Sequence, residues 1–162
     1  MVGHSVTEYF LNRYAGVNPA NGDALWYTAD GELTTEFRED DKVMTGKTYE
    51  SPWAGGFGTT FIWKGISLSA QFSWMAKRYV MNNDRFFEES NGIYSTYNQS
   101  KRLLYNRWKK PGDITDIPRY DVPAQLDDRF LENTSFLRLT NLTVPYSLPQ
   151  SLLKKSNFFA AA

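Results

Sequence analysis

"GGFGTTFIWKGISLSAQFSWMA", residues 55–76, decides the fold. From Ile66 every second residue is apolar: Ile66, Leu68, Ala70, Phe72, Trp74 and Ala76. Ser67, Ser69, Gln71, Ser73 and Met75 stand between them. Successive side chains leave a strand on opposite sides, so a period of two marks a strand whose faces meet different surroundings. The run before it, 56–63, puts Phe57, Thr59, Phe61 and Trp63 on one face. Lys64-Gly65 between them is about as short as a hairpin turn can be. The spacing predicts a β-hairpin with one apolar and one polar face, its second strand running from Ile66 to about Val80. Whether the apolar face meets a protein core or lipid is left to the rest of the chain.

Upstream, residues 5–14, "SVTEYFLNRY", are β-prone and loosely alternating and read as a strand. "GVNPANGD" carries turn signals at Pro19 and Asn21-Gly22. "ALWYTADGELTTEF" reads as a small hairpin with a type I′ turn at Asp30-Gly31. "REDDKVMTGKTYESPW" is charged and loop-like. Downstream, 81–134 is long and polar, with weakly helical pieces around Asp84–Glu89 and Asn98–Trp108. A connection of that length is unusual inside a compact soluble domain. "SFLRLTNLTVPYSLP", 135–149, returns to strand; "QSLLKKSN" then turns, and "FFAAA" begins a further strand.

Composition narrows the function classes. Eighteen basic and 18 acidic residues cancel, so nothing points to nucleic acid, which calls for a basic footprint. There is no cysteine, which excludes disulfides and thiolate metal sites, and the single histidine, His4, has no partner in view. Aromatics reach 16% while apolar residues stay at 41%, which suits an aromatic-rich β protein or a transmembrane barrel better than a helical membrane protein. No stretch approaches the roughly 18 apolar residues of a membrane helix. "MVGHSVTEYF" lacks the basic start and apolar run of a signal peptide, so either the chain is not exported or its beginning is missing.

Loop lengths alternate: a long excursion (15–54), a two-residue turn, a long excursion (81–134), a short turn. Outer-membrane barrels show this pattern, with short periplasmic turns and long extracellular loops. The strand from Ile66 fits the roughly 9–11 residues of a tilted membrane strand. On that reading Trp63 lies near the periplasmic interface, and Trp74 and Tyr79 near the outer one. Alternation alone also fits a soluble sandwich, whose apolar face meets a second sheet. Parity adds one local expectation: Leu137 and Leu139 share one face, Leu142, Val144 and Tyr146 the other, and a bulge near Asn141 would unite them.

Several motifs, in order along nearly the whole chain, resemble one family. Arg107-Trp108, Pro111-Gly112-Asp113, Thr115-Asp116-Ile117-Pro118-Arg119 and Ser135-Phe136-Leu137-Arg138-Leu139 resemble the C-terminal barrel region of the SusC/RagA family, TonB-linked outer-membrane proteins of Bacteroidetes. "YAGVNPANGDALWY" resembles a loop of that family, and "GGFGTTFIWKGISLSAQFSW" its G-G-F hairpin. Asn18 stands where Asp is more usual, and Pro145 where Gly is usual; proline removes a ladder donor, so irregular pairing is expected there. The resemblance implies an all-β fold, an incomplete segment of an antiparallel transmembrane barrel of about 22 strands. It implies import of large nutrients, often a glycan and sometimes a peptide, driven through TonB and capped by a SusD-like surface lipoprotein. The signal peptide, TonB box, plug and most strands of such a machine lie outside this sequence. Residues 15–54 and 81–134 would be extracellular, and Phe57, Phe61, Trp63, Ile66, Leu68, Phe72 and Trp74 would face outer-membrane lipid. Ser67, Ser69, Gln71 and Ser73 would face the polar lumen.

No catalytic residue, cofactor or metal is expected. Asp113 with Asp116, and Asp127-Asp128, could serve acid–base or calcium chemistry, but flanking Pro and Gly favour turn formation and helix capping. No nucleophile–base pair is in view. Trp26, Trp53, Tyr94, Tyr97, Tyr105 and Trp108 fall in expected loops, where their rings could meet a sugar, a peptide or the lipoprotein, or pack the loops. Arg107, Pro111, Gly112, Asp113, Asp116, Pro118 and Arg119 form the family-motif loop. "QSKRLLYNRWKK" is basic and reads as a solvated face. The competing class is a soluble β-sandwich that binds carbohydrate.

Overall fold

The computed structural model describes residues 3–149 except 95. The strands are β1 (Glu8–Leu11), β2 (Arg13–Val17), β3 (Ala24–Tyr27), β4 (Leu33–Thr34), β5 (Val43–Thr48), β6 (Trp53–Trp63), β7 (Ile66–Ala76), β8 (Tyr79–Met81), β9 (Leu131–Asn133) and β10 (Phe136–Thr143). Between β8 and β9 lie two short helices, α1 (Asn83–Glu88) and α2 (Lys101–Tyr105). Every pairing between these strands is antiparallel. No helix among the described residues is long and apolar enough to cross a membrane. The chain divides into two compact units, Met1–Ser51 with Lys77–Thr134, and Pro52–Ala76 with Ser135–Ala162.

The second unit is a three-stranded sheet in the order β10-β7-β6. β6 and β7 pair without a break from Trp53↔Ala76 to Trp63↔Ile66. Lys64 and Gly65 both take positive φ, 45° and 84°, as the two-residue type I′ turn requires. Opposed residues share a face, so Phe57 meets Phe72, Phe61 meets Leu68 and Trp63 meets Ile66. The Phe57 and Phe72 rings stack at 5.0 Å. Trp74 lies over Gly55, where a Cβ would come within 3.1 Å of its indole nitrogen. The register of β10 on β7 shifts between Leu139↔Phe72 and Asn141↔Gln71, so Thr140 is bulged, its hydroxyl donating to the Gln71 carbonyl at 3.0 Å. That single extra residue brings Leu137, Leu139 and Leu142 to the apolar face of β7. Past Pro145 the ladder is irregular: the Pro145 carbonyl accepts from Ser67 N, and Tyr146 bridges to Ile66 on that same face. The other face holds Ser67, Ser69, Gln71 and Ser73 with Thr60, whose hydroxyl bonds Ser69 at 3.2 Å. Ile62 is its one strongly exposed aliphatic residue.

The first unit holds the sheets β1-β5, β2-β3-β4 and β8-β9. Its core gathers Phe130 with Phe86, and Trp26 with Tyr14 and Phe37. Leu103 and Ile117 are also buried, and so, fully, is Asp127. Asn82 caps α1 by accepting from Arg85 N, and Ser100 caps α2 by accepting from Arg102 N. Asn91 sits at φ 58° and donates through Nδ2 to the Arg119 and Val122 carbonyls, tying the segment after α1 to the end of the motif loop.

Several expectations change. The strand over 5–14 is two strands, broken at a fully buried Asn12 that donates to the Arg38 carbonyl, and both belong to the first unit. Part of the charged segment 38–53 is strand β5, paired with β1. β7 ends at Ala76, because Lys77 turns to φ 57°, so the strand does not run on to Val80; Tyr79 begins β8, in the other unit, with Lys47 Nζ 5.9 Å from its ring centroid. The Asp30-Gly31 turn is not type I′. The Thr28 carbonyl accepts from Gly31 N and only Gly31 has positive φ, 92°, the three-residue hairpin loop with a left-handed glycine. Residues 81–134, expected as loop, contain β9. The expected turn "QSLLKKSN" and strand "FFAAA" lie outside the described residues.

Candidate functional site

The motif loop folds onto the turn at 17–23. Trp108 Nε1 donates to the Pro19 carbonyl at 3.1 Å, Gly112 N donates to the same carbonyl at 2.8 Å, and Arg119 N donates to the Gly22 carbonyl at 3.0 Å. Gly22, at φ 79°, leaves room for the Trp108 indole, whose atoms lie 2.5 Å from where a Cβ would stand. Asp113 accepts from Lys109 N and Lys110 N, closing the Pro111-Gly112 turn, with Gly112 at φ 95°. Pro118 is fully buried. Arg119 pairs with Asp23 and Asp121, both at 3.1 Å. The two quoted motifs that flank this contact therefore hold one another, with the half-buried Trp108 indole packed over Gly22.

Charge inside the unit is arranged in pairs. Glu89, almost buried, takes Arg85 at 3.1 Å and Arg102 at 2.6 Å, and Asp116 joins both arginines. Asp127 accepts from Trp26 Nε1 at 2.9 Å and from Arg129 N, and its Oδ1 lies 3.2 Å from Arg129 Nε. Burial outweighs these favourable partners and pushes the Asp127 carboxyl up to about 6. Asp128 accepts from Tyr14 N and pairs with Lys47. These aspartates cap and brace turns, as expected, and no group of three metal-ligating side chains occurs among the described residues. His4 is not isolated: Nδ1 lies 2.9 Å from Glu8.

The candidate contact aromatics separate. Trp26 is not in a loop: it lies on β3, 3% exposed, so it is a core residue and not a contact residue. Trp53 is not in a loop either; it starts β6 on the apolar face of the other unit. Tyr94 and Tyr97 pack on Phe87, at 5.0 and 5.6 Å. Tyr105 is 71% exposed and lines a groove of about 870 Å³ between β2 and the motif loop. Its walls include Tyr14, Ala15 and Gly16 on one side and Arg107, Lys109 and Ile114 on the other. A second groove, of about 670 Å³, shares Arg107 and Lys109 and is lined by Lys101, Leu104, Trp108 and Tyr120. The sequence reading missed Ile114, 96% exposed; its signal was a lone aliphatic residue in an otherwise polar turn. In the sheet unit the exposures of Phe57, Phe61, Trp63, Ile66 and Leu68 run from 41 to 63%. Phe72 and Trp74 are half-buried by their neighbours.

No family model matches the chain. TonB-dependent receptor P3 of Formosa agariphila is 26% identical over 128 residues, 78% of this chain and 12% of that receptor. The RagAB peptide transporter matches with a TM-score of 0.82 at 36% identity, over 92% of this chain and 17% of that chain. The RagAB peptide importer matches equally in its closed-closed and open-open states, each with a TM-score of 0.82 at 36% identity. The likeness is thus one of sequence as well as fold, and it covers a small part of each relative's length.

Proposed function

Because the chain belongs to the SusC/RagA family of TonB-linked receptors and spans only part of its relatives' length, we propose that it builds part of the wall and outward loops of an outer-membrane barrel that imports large nutrients. The observation that carries this reading is the two-faced sheet. Its apolar face joins Phe57, Phe61, Trp63, Ile66, Leu68, Phe72 and Trp74 to Leu137, Leu139, Leu142 and Tyr146. β7 has 11 residues, so its ten steps of about 3.3 Å give about 33 Å, or about 25 Å of height at a tilt near 40°. That equals the apolar band of an outer-membrane barrel. Aromatic rings stand at both ends, Trp53 and Trp74 at one, Trp63 and Tyr146 at the other, where the two lipid interfaces would lie.

On this reading the face meets lipid, the serine-rich face meets the lumen, and the first unit, with 15–51 and 81–134, is extracellular. TonB supplies the energy through parts of the receptor outside this sequence, and a SusD-like lipoprotein shares the capture of cargo. The 36% identity to a peptide transporter favours peptide over glycan as that cargo. A soluble carbohydrate-binding sandwich would need a second sheet over the apolar face, and the described residues of the sheet unit contain none.

The test is uptake by intact cells. Fluorescent tryptic peptides and fluorescent oligosaccharides are supplied to cells with the gene and to cells lacking the codons for 66–76. Loss of peptide uptake, abolished equally by a protonophore, is expected. Unchanged uptake of both pools would refute the proposal.

A further inference from the structure

We propose that the groove between the β2 edge and the motif loop binds an extended acidic peptide. This rests on the nutrient-import reading and names the ligand chemistry of the exposed unit. Three features of the groove carry it.

The first is the imbalance of free charge. Two carboxylates line the groove, and both are engaged: Asp113 by Lys109 N and Lys110 N, Asp116 by Arg85 and Arg102. The cations are not. Of the two cations that line it, Lys109 has no ion pair among the described residues, and Arg107 stacks on Tyr120 at 5.1 Å with its Nε buried and without a hydrogen-bond partner. A ligand entering here meets uncompensated positive charge beside committed negative charge.

The second feature is main chain. β2 is the edge of its sheet, and its residues Ala15 and Gly16 form a wall of the groove. Tyr14 N is taken by Asp128 at 2.9 Å, so that donor is not open to an added strand. Gly16, at φ 109° in a register shift, has open space where a Cβ would stand. An edge strand offers unpaired main-chain groups to an added strand, which a peptide can supply and a glycan cannot. The third feature is apolar contact: Tyr105, 71% exposed, and Ile114, 96% exposed, lie on the opposite wall. Alternating acidic and apolar side chains would place carboxylates at Arg107 and Lys109 and apolar groups at Tyr105 and Ile114.

The detergent-solubilised protein is titrated by fluorescence anisotropy with a labelled hexapeptide alternating glutamate and valine, with its glutamine counterpart, and with labelled hexagalacturonate. The acidic peptide should bind about tenfold or more tightly than the glutamine peptide, with a marked loss of affinity on adding salt. Arg107→Gln with Lys109→Gln should remove that preference, while Lys42→Gln, paired elsewhere with Glu39, should not. Lys109→Glu should shift preference toward a lysine–valine peptide, a gain that misfolding cannot produce. Equal binding of acidic and glutamine peptides, an unaffected double variant, or binding of hexagalacturonate alone would each overturn the inference. Failure of the import reading looks different: peptide binding persists, but uptake by cells is unchanged by the deletion.

Discussion

An arginine placed on the apolar face of the sheet unit should destabilise the protein most at mid-strand and least at the ends. Ala70 and Ala76 allow the comparison without losing a large side chain. Ala70 lies four steps from Ile66, about 13 Å along the strand and about 10 Å in height, close to the midplane of a band about 25 Å tall. Its cross-strand neighbours are Thr59 and Leu142. Ala76, opposite Trp53, ends the strand. A lipid-facing arginine costs about 2–4 kcal/mol at the midplane and about 0–1 kcal/mol near an interface. Ala70→Arg should therefore lower stability by about 2–3 kcal/mol more than Ala76→Arg. Ser69→Arg and Gln71→Arg, on the polar face, should cost less than Ala70→Arg although they flank the same depth. The assay is urea unfolding of the protein reconstituted in lipid vesicles, followed by tryptophan fluorescence. Equal costs at positions 70 and 76, or a cost at position 69 matching that at 70, would refute the assignment of the apolar face to lipid.

Three further outcomes follow from the first unit. Burial raises Asp127 to about 6 from 3.8, so its stabilising contribution is fully present below about 3.8 and lost as pH rises through 6, about 3 kcal/mol in all. Asp127→Asn should remove that dependence: the melting temperature of the variant relative to the parent should climb between pH 4 and 7, and a constant difference would contradict the assignment. Gly22→Ala should cost about 1–3 kcal/mol, because its Cβ would collide with the Trp108 indole at a positive φ; thermal unfolding measures it, and the variant should gain proteolytic cleavage within 105–119. Glu89→Gln should cost about 1–3 kcal/mol, less than a fully buried pair because Arg102 is over a third exposed, and chemical denaturation would show it.

What the sequence could reveal was local. The hairpin at 53–76 follows from period two and a turn that only needs its own two residues to reach positive φ. The bulge at Thr140 was legible because two runs of leucines differ in parity, and a buried or lipid-facing face permits only one. The end of β7 was not legible: Lys77 to Val80 continues a β-prone composition, and the break is a single left-handed lysine. β5 was hidden because its charged residues fit either an exposed strand or a loop until β1, more than 30 residues away, supplies a partner. The same holds for Trp26, whose burial depends on Asp127, 101 residues on. Of the candidate contact residues, Tyr105 and Trp108 line open grooves while Trp26 is buried on Asp127, because the sequence shows an aromatic residue but not the carboxylate that receives it.

The most direct test of the central claim is a nitroxide scan of positions 66–76. The chain has no cysteine, so each single substitution carries one label. In outer membranes, accessibility to oxygen should exceed accessibility to a polar nickel complex at positions 66, 68, 70, 72 and 74, with a maximum near 70–72. Positions 67, 69, 71 and 73 should show the ratio inverted. Low accessibility to both reagents at the even positions would mean that protein, not lipid, covers the apolar face, and would contradict the account.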